Sequence, residues 1–131
     1  MGAGTRAVAE RFMDALRAFE GDGRPDPLVE LFAEDSELAN LVRAERGRDG
    51  ARRFWEEYRS AFREVRSEFG AVVVGDGAAA LEWESDGTLP SGAPIRYRGV
   101  SVLEVDGDRV KRFRTYYDSA AFVAAPAPAG A

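Results

Sequence analysis

The stretch "YRGVSVLEVDGDRVKRFRTYYD", Tyr97 to Asp118, predicts two long β-strands joined by a tight turn. Apolar and polar residues alternate on both sides of its centre, which is typical of strands with one buried face. The pair Asp106-Gly107 lies between the two runs. Because hairpin turns need a residue that accepts positive φ, this pair favours an antiparallel hairpin.

Two earlier runs extend the strand pattern. "SEFGAVVVG", from Ser67, and "AAALEWES", from Ala78, are separated by "GDG" at Gly75 to Gly77. The segment "SDGTLPSG" then leads to the strand that begins at Ile95. Together with the hairpin, these runs predict a meander of four long antiparallel strands.

The first half of the chain has helical periodicity. In the first helix, Thr5 is the expected cap and "GDG" at Gly21 to Gly23 the expected end. Its apolar residues recur at spacings of three and four, at Val8, Phe12, Ala15, Leu16 and Phe19. A short second helix is predicted behind Pro27, and a third, amphipathic helix from Asp49-Gly50 through "ARRFWEEYRSAFREV". Between them "SELANLV" predicts a brief extended segment.

Three helices followed by a strand meander predict an α+β fold, in which the helices pack on one face of a curved antiparallel sheet. A chain of 131 residues supports one core, so we expect a single domain over residues 1–122. Residues 123–131, which include "AAPAPAGA", predict a disordered Ala/Pro tail.

Charge and hydropathy exclude several classes of function. The chain has 18 Lys and Arg against 23 Asp and Glu, a net charge of −5, which argues against nucleic-acid binding. No apolar run approaches the roughly 18 residues of a membrane span. The first residues lack the apolar segment of a secretory signal. We therefore expect a cytoplasmic protein with neither a nucleic-acid nor a membrane partner.

The chain contains neither Cys nor His. Their absence excludes zinc sites built on thiolate or imidazole, cysteine nucleophiles and Ser-His-Asp machinery. The sequence also has neither a phosphate-binding glycine motif nor a calcium-loop pattern. We therefore expect no metal and no cofactor, and any acid or base must be Asp, Glu, Tyr, Lys or water.

Three segments carry a resemblance to a known fold: "LFAEDSELAN" from Leu31, "GARRFWEEYRSAF" from Gly50 and "YRGVSVLEVDGDRV" from Tyr97. In this order and spacing they resemble the nuclear transport factor 2-like superfamily, which includes SnoaL-like polyketide cyclases, ketosteroid isomerases and limonene-epoxide-hydrolase-like enzymes. The resemblance implies a cone in which three N-terminal helices pack on the concave face of the sheet and enclose an apolar pocket. It also implies a homodimer formed by paired sheets.

At most positions where the related enzymes have acids or bases, this sequence has other residues. The positions used by ketosteroid isomerases hold Phe12, Asn40 and Ser101, which do not abstract a proton next to a carbonyl. Compared with the epoxide hydrolases, Asn40 keeps the residue that helps to hold the attacking water. Leu38 and Thr115 stand where those enzymes have Tyr and Asp.

Glu82 and Glu84 are the main catalytic candidates, and two orientations are open for them. The similarity to the epoxide hydrolases turns both toward the cavity and Trp83 away from it, and we expect this arrangement. Strict alternation predicts the opposite, with Leu81 and Trp83 in the core and the glutamates in water. Inside a pocket, one carboxylate would raise the pKa of the other. The pair would then supply an acid and a base for epoxide opening or aldol-type ring closure.

Asn40 is the third catalytic candidate, and the remaining candidates belong to the wall of the pocket. Asn40 either orients a water or a substrate carbonyl, or it caps a loop. The expected substrate-binding residues are Phe12, Leu38, Trp55, Tyr58, Ser101, Phe113, Thr115 and Tyr117.

Two functions remain open from the sequence. The first is a small cofactor-independent enzyme, a cyclase, hydrolase or isomerase, acting on an apolar polycyclic or terpenoid-like substrate. Glu84 would be its principal acid or base. The second is a non-catalytic module that binds an apolar ligand or forms a homodimer. The exposure of Glu82 and Glu84 distinguishes the two functions, since outward-facing side chains leave the pocket without those acids.

Overall fold

A computed structural model describes residues 2–124 of the chain. Its elements are α1 (Gly2–Asp22), α2 (Asp26–Val29), β1 (Phe32–Ala39), β2 (Ala44–Arg46), α3 (Gly47–Ser60), β3 (Glu64–Val74), β4 (Ala78–Thr88), β5 (Pro94–Asp106), β6 (Arg109–Tyr117) and α4 (Ala120–Ala124). Within residues 2–124, every helix is too short or too polar to span a membrane. The first two residues of the predicted tail belong to α4, and the rest of it lies outside the described residues.

The strands form one curved, open sheet in the order β2-β1-β6-β5-β4-β3. Strands β3 to β6 make the predicted antiparallel meander, and Gly107 adopts the positive φ that its turn requires. Strand β1 extends the sheet by pairing in parallel with β6, and β2 pairs with β1. The predicted α+β class and curved sheet are therefore confirmed.

The prediction of three N-terminal helices needs correction. Among residues 2–124, only α1 and α2 precede the sheet, because α3 follows β1 and β2, and a fourth helix closes the described chain. Thr5 is also not a cap, since α1 begins at Gly2. Thr5 is buried, and its hydroxyl accepts a hydrogen bond from the Gly77 amide at 3.1 Å. This bond ties the helix to the turn between β3 and β4.

Residues 2–124 form two apolar clusters in the interior. The main cluster joins α1, α2 and α3 to the sheet through residues such as Phe12, Phe32, Leu38, Phe54, Trp55, Leu81, Leu103 and Phe113. A smaller cluster, formed by Phe62, Val65, Ile95 and Tyr97, lies toward α4, where Phe122 packs on it. Residues of both clusters line one cavity, which therefore lies between them.

Gly99 makes room for the largest side chain on the inner face of β4. It pairs with Trp83 across β4 and β5. A Cβ atom at Gly99 would overlap the carbonyl oxygen of Tyr116 and lie 2.7 Å from Cζ2 of Trp83. The missing side chain therefore leaves room for the Trp83 indole beside β5.

We expect Gly99→Ala to lower the free energy of unfolding by about 1–3 kcal/mol, because the added methyl overpacks the inner face. Urea unfolding measures the change. Gly70→Ala is a matched control, since a Cβ there would meet its nearest neighbour, the Glu82 carbonyl, at 4.0 Å. Equal losses in the two variants would contradict the packing assigned to Trp83.

Candidate functional site

The candidate site is a cavity of about 250 Å³ on the concave side of the sheet. The apolar lining residues of its wall are Leu16, Val42, Phe54, Trp55, Ala61, Phe62, Trp83, Phe113 and Phe122. Its hydroxyl groups belong to Tyr58, Ser67, Ser85, Tyr97, Ser101, Thr115 and Tyr117. An apolar cavity with a few convergent polar groups is the usual form of a small-molecule site.

A buried carboxylate, Glu20, lies directly behind part of this wall. It is only 4% exposed, near the C-terminal end of α1. It accepts hydrogen bonds from the Tyr58 hydroxyl at 2.6 Å, the Ser67 hydroxyl at 2.6 Å and the Ser67 amide at 2.8 Å. The Ser67 hydroxyl also lies 2.6 Å from that of Ser85. These contacts supply the partners that a buried charge needs.

A second chain of hydrogen bonds crosses strands β4, β5 and β6 in the lining of the cavity. The indole N–H of Trp83 donates to the Ser101 hydroxyl at 2.9 Å, which lies 2.9 Å from the Thr115 hydroxyl. Ser101 and Thr115 stand side by side because they pair across β5 and β6. Trp83 reaches Ser101 diagonally, since its own partner on β5 is Gly99. Ser101 and Thr115 therefore form one hydrogen-bonded pair of hydroxyls in the cavity lining.

Burial raises the pKa of the pocket tyrosines. The pKa of Tyr58 lies well above its ordinary value, mainly because of desolvation, with the negative charge of Glu20 adding to the effect. Desolvation is also the largest cause of the raised pKa of Tyr97, and it raises the pKa of Tyr117. These hydroxyls therefore stay protonated near neutral pH.

The raised pKa values predict a loss of stability in alkali. A tyrosine ionises at about pH 10 in the unfolded chain, and at a higher pH in the folded protein. The stabilisation is present below pH 10 and declines as the pH rises from about 10 through the folded pKa. We expect the free energy of unfolding, measured in urea, to fall over this range, and to fall less steeply in Tyr97→Phe. Ionisation of Tyr58 and Tyr97 near pH 10 in protein that is still folded would contradict this expectation.

The mouth of the pocket is formed by the turn between β1 and β2 and by the end of α3. The Asn40 side-chain oxygen accepts hydrogen bonds from the amides of Val42 and Arg43, at 2.9 and 2.8 Å. Asn40 thus caps this turn, which was one of its two predicted roles, while it also lines the pocket. Glu57 is the only acidic residue among the described lining residues, and its side chain is 61% exposed at the mouth.

Glu82 and Glu84 lie on the outer face of the sheet, so the orientation that we expected for them is wrong. Both are exposed, whereas Leu81 is buried and Trp83 lines the pocket. Glu84 pairs with Arg96 at 2.7 Å in an exposed ion pair. The physical reason is that burying an indole is favourable, while burying two adjacent carboxylates without partners is costly. Strict alternation therefore decides the face.

This orientation predicts very different losses of stability for two nearby substitutions on β4. We expect Glu84→Gln to change the free energy of unfolding by less than about 0.5 kcal/mol, since it removes an exposed ion pair. Leu81→Ala should cost about 2–5 kcal/mol, since Leu81 is fully buried. A large loss in Glu84→Gln with a small one in Leu81→Ala would restore the rejected orientation.

The other sequence candidates divide between the pocket and the core. The cavity is lined by Trp55, Tyr58, Ser101, Phe113, Thr115 and Tyr117, together with Asn40. Phe12 and Leu38 are buried in the main cluster behind that wall and do not line the cavity. The structure thus brings seven of the eleven candidates together.

Sequence reasoning missed the Glu20 network, although two signals pointed to it. Glu20 follows Leu16 by four residues, so it continues the apolar face of α1. Ser67 and Ser85 occupy inward positions of two adjacent strands and pair with each other across β3 and β4. A polar residue in a core-facing position calls for a partner, and here each supplies one for the others.

Trp55 carries a buried hydrogen-bond donor in the wall of the cavity. The indole nitrogen of Trp55 makes no hydrogen bond within residues 2–124. An unsatisfied buried donor costs about 1–3 kcal/mol.

A curved, open sheet with helices packed against it is the fold of nuclear transport factor 2-like domains. The family model described as the SnoaL-like domain matches residues 9–113. The chain therefore belongs to the SnoaL-like family.

Several solved structures share this fold. A candidate SnoaL-like polyketide cyclase from Jannaschia sp. CCS1 is 17% identical, with a TM-score of 0.84, over 95% of this chain and 92% of that one. An NTF2-like protein from Anabaena variabilis is 18% identical, with a TM-score of 0.82, over 88% and 90% of the two chains. An LEH-like epoxide hydrolase from M. tuberculosis is 15% identical, with a TM-score of 0.74, over 93% and 88%. A search of the curated proteins finds no significant match.

Proposed function

We propose that this SnoaL-like domain binds a small, mainly apolar, ring-containing molecule in its inner cavity. The observation that carries the proposal is the aromatic wall interrupted by inward-facing hydroxyls, with Glu82 and Glu84 outside it. Aromatic walls favour flat or cyclic ligands, while a few fixed hydroxyls orient them. Asn40 contributes by holding the turn at the mouth.

The volume of the cavity limits the size of the ligand. An apolar cavity of about 150 Å³ accepts benzene, whereas sites for drug-sized ligands begin at about 300 Å³. A volume of about 250 Å³ therefore fits a one- or two-ring molecule of monoterpenoid size better than a polycyclic one.

Calorimetry with two monoterpenoid-sized probes, carvacrol and p-cymene, tests the proposal. We expect both to bind the domain. Ala61→Trp, which adds a bulky ring at an exposed position of the cavity lining, should weaken both by at least about tenfold, or 1.4 kcal/mol. Glu84→Gln, on the outer face, should bind as the unchanged protein does. Binding that is insensitive to Ala61→Trp would place the ligand elsewhere and contradict the proposal.

Proton transfer in the same cavity is a second candidate function. It is favoured by the 2.6 Å hydrogen bond from Tyr58, which lines the cavity, to the buried carboxylate of Glu20. As Tyr58 passes its proton to Glu20, its oxygen would take a proton from carbon next to a ligand carbonyl. Exchange of the α-hydrogens of carvone with deuterium, followed by NMR, measures this activity. We expect Glu20→Gln to abolish it, and exchange equal to that without protein would reject it.

The homodimer implied by the resemblance is also a proposal. The outer face of the sheet carries exposed apolar groups, Val73 and Tyr116, beside the charged Glu82, Glu84 and Arg98. Sedimentation equilibrium is expected to give twice the chain mass, and Tyr116→Glu should reduce it toward one chain. A single-chain mass for the unchanged protein would contradict pairing through this face.

A further inference from the structure

The hydrogen bonds around Glu20 have a fixed direction. An ionised carboxylate only accepts hydrogen bonds, so the hydroxyls of Tyr58 and Ser67 must both donate to it. Ser67 has then used its single hydroxyl proton. The Ser85 hydroxyl, 2.6 Å away, is therefore the donor in its bond with Ser67. Every hydroxyl proton of this network points toward Glu20 and away from the cavity.

This direction decides what the cavity offers to a ligand. Tyr58, Ser67 and Ser85 all line the cavity, yet each has spent its proton. Only the lone pairs of their oxygens remain, and lone pairs accept hydrogen bonds. The Tyr97 hydroxyl interacts with Ser85 and Tyr58, and when it donates to one of them its own lone pairs join the same acceptor surface. Three hydroxyl groups that look like donors by residue type therefore form an acceptor surface.

We infer that this acceptor surface selects ligands that carry a hydrogen-bond donor, a phenol or alcohol rather than an ether or a hydrocarbon. The inference rests on the proposed function and deepens it by naming the ligand's chemical class. Glu20 does not line the cavity, so it acts as a positioning residue that sets the polarity of the wall. An ether oxygen facing the same surface leaves acceptors opposite one another, and both lose their hydrogen bonds with water.

Glu20→Gln tests this role because it keeps the shape of the side chain while changing its hydrogen bonding. The introduced amide has one acceptor oxygen and an NH₂ group that donates. A hydroxyl oxygen of Tyr58 or Ser67 must then accept from that NH₂, and its proton is released to point elsewhere. The wall thereby gains a donor, and its selectivity is expected to disappear.

The experiment compares three probes with one carbon skeleton: carvacrol, its methyl ether and p-cymene, which lacks the oxygen. Calorimetry on the unchanged protein should show that carvacrol binds about tenfold more tightly than its methyl ether, as expected for one net hydrogen bond. In Glu20→Gln this ratio should fall to between about one and three. General damage to the fold weakens all three probes together, so the ratio within one variant reports polarity alone.

A second variant guards against misfolding of Glu20→Gln. Ser85→Ala removes the hydroxyl furthest from Glu20 in the hydrogen-bonded network and leaves the bonds from Tyr58 and Ser67 to Glu20 in place. It should lower the ratio of carvacrol to methyl-ether affinity by about two- to threefold. Equal binding of all three probes by the unchanged protein would overturn the inference and leave the proposed cavity function standing. Tighter binding of the methyl ether, as Trp55 acting as the donor would produce, also overturns it. Binding of none of the probes overturns both.

Discussion

Glu20→Ala is expected to lower the free energy of unfolding by about 2–4 kcal/mol, because it leaves buried donors without an acceptor. The carboxylate satisfies the Tyr58 hydroxyl and both the amide and the hydroxyl of Ser67. These bonds join α1 to α3 and to β3. The guanidinium of Arg59 adds to this junction by donating to the backbone carbonyl of Glu20 at 3.1 Å. Denaturant unfolding measures the loss.

The matched control removes the donors together with the acceptor. In Glu20→Leu combined with Tyr58→Phe and Ser67→Ala, the acceptor and both hydroxyls that donate to it become apolar. The Ser67 amide and the Ser85 hydroxyl are the two donors left to satisfy. Such replacements recover much of the stability that a single deletion loses. We therefore expect the triple variant to be more stable than Glu20→Ala. A Glu20→Ala protein as stable as the unchanged one would show that the network does not hold these elements together.

Phe113→Ala is expected to have the largest effect on stability, a loss of about 3–5 kcal/mol. Phe113 is 2% exposed at the centre of the main cluster. Its ring lies 5.1 Å from Trp55 and 5.5 Å from Phe12, measured between centroids. Removing it leaves a void that a close-packed interior fills only in part. Thermal or urea unfolding provides the measurement.

The same substitution should also change which ligands fit. Phe113 lines the cavity, so the space it vacates adds to the binding volume. We expect affinity to shift from p-cymene toward larger ring systems. Phe122→Ala, at the edge of the smaller cluster, is the control, with an expected loss of about 1–2 kcal/mol. Equal losses in the two variants would contradict the central position assigned to Phe113.

The strand meander and the first helix could be predicted from sequence because local patterns determine them. Alternation and Asp106-Gly107 define the hairpin, and the spacing from Val8 to Phe19 defines the face of α1. Strand β1 was harder to place. It is held by a parallel pairing with β6, about 75 residues away by the pairs Phe32–Val110 and Leu38–Phe113, and no local pattern encodes such a contact.

The candidate site was harder to predict than the fold. Pocket residues on α3, β5 and β6 were found because the resemblance gave their places in the cone. Glu82 and Glu84 were misplaced because similarity to other enzymes was preferred to alternation, and a one-residue change of register turns every side chain to the opposite face. Glu20 was missed because its role depends on Ser67 and Tyr58, which lie 47 and 38 residues away.

We propose that the functional site lies on the inner face of the sheet and not on the outer one. The most direct test follows the NMR signals of both faces while carvacrol is added. Trp55 and Trp83 line the cavity, whereas Glu82 and Glu84 lie on the outer surface. We predict that the two indole N–H signals shift as carvacrol saturates the protein, while the carboxyl signals of the glutamates stay in place. Unmoved indole signals, or shifts confined to the glutamates, would contradict a functional site on the inner face.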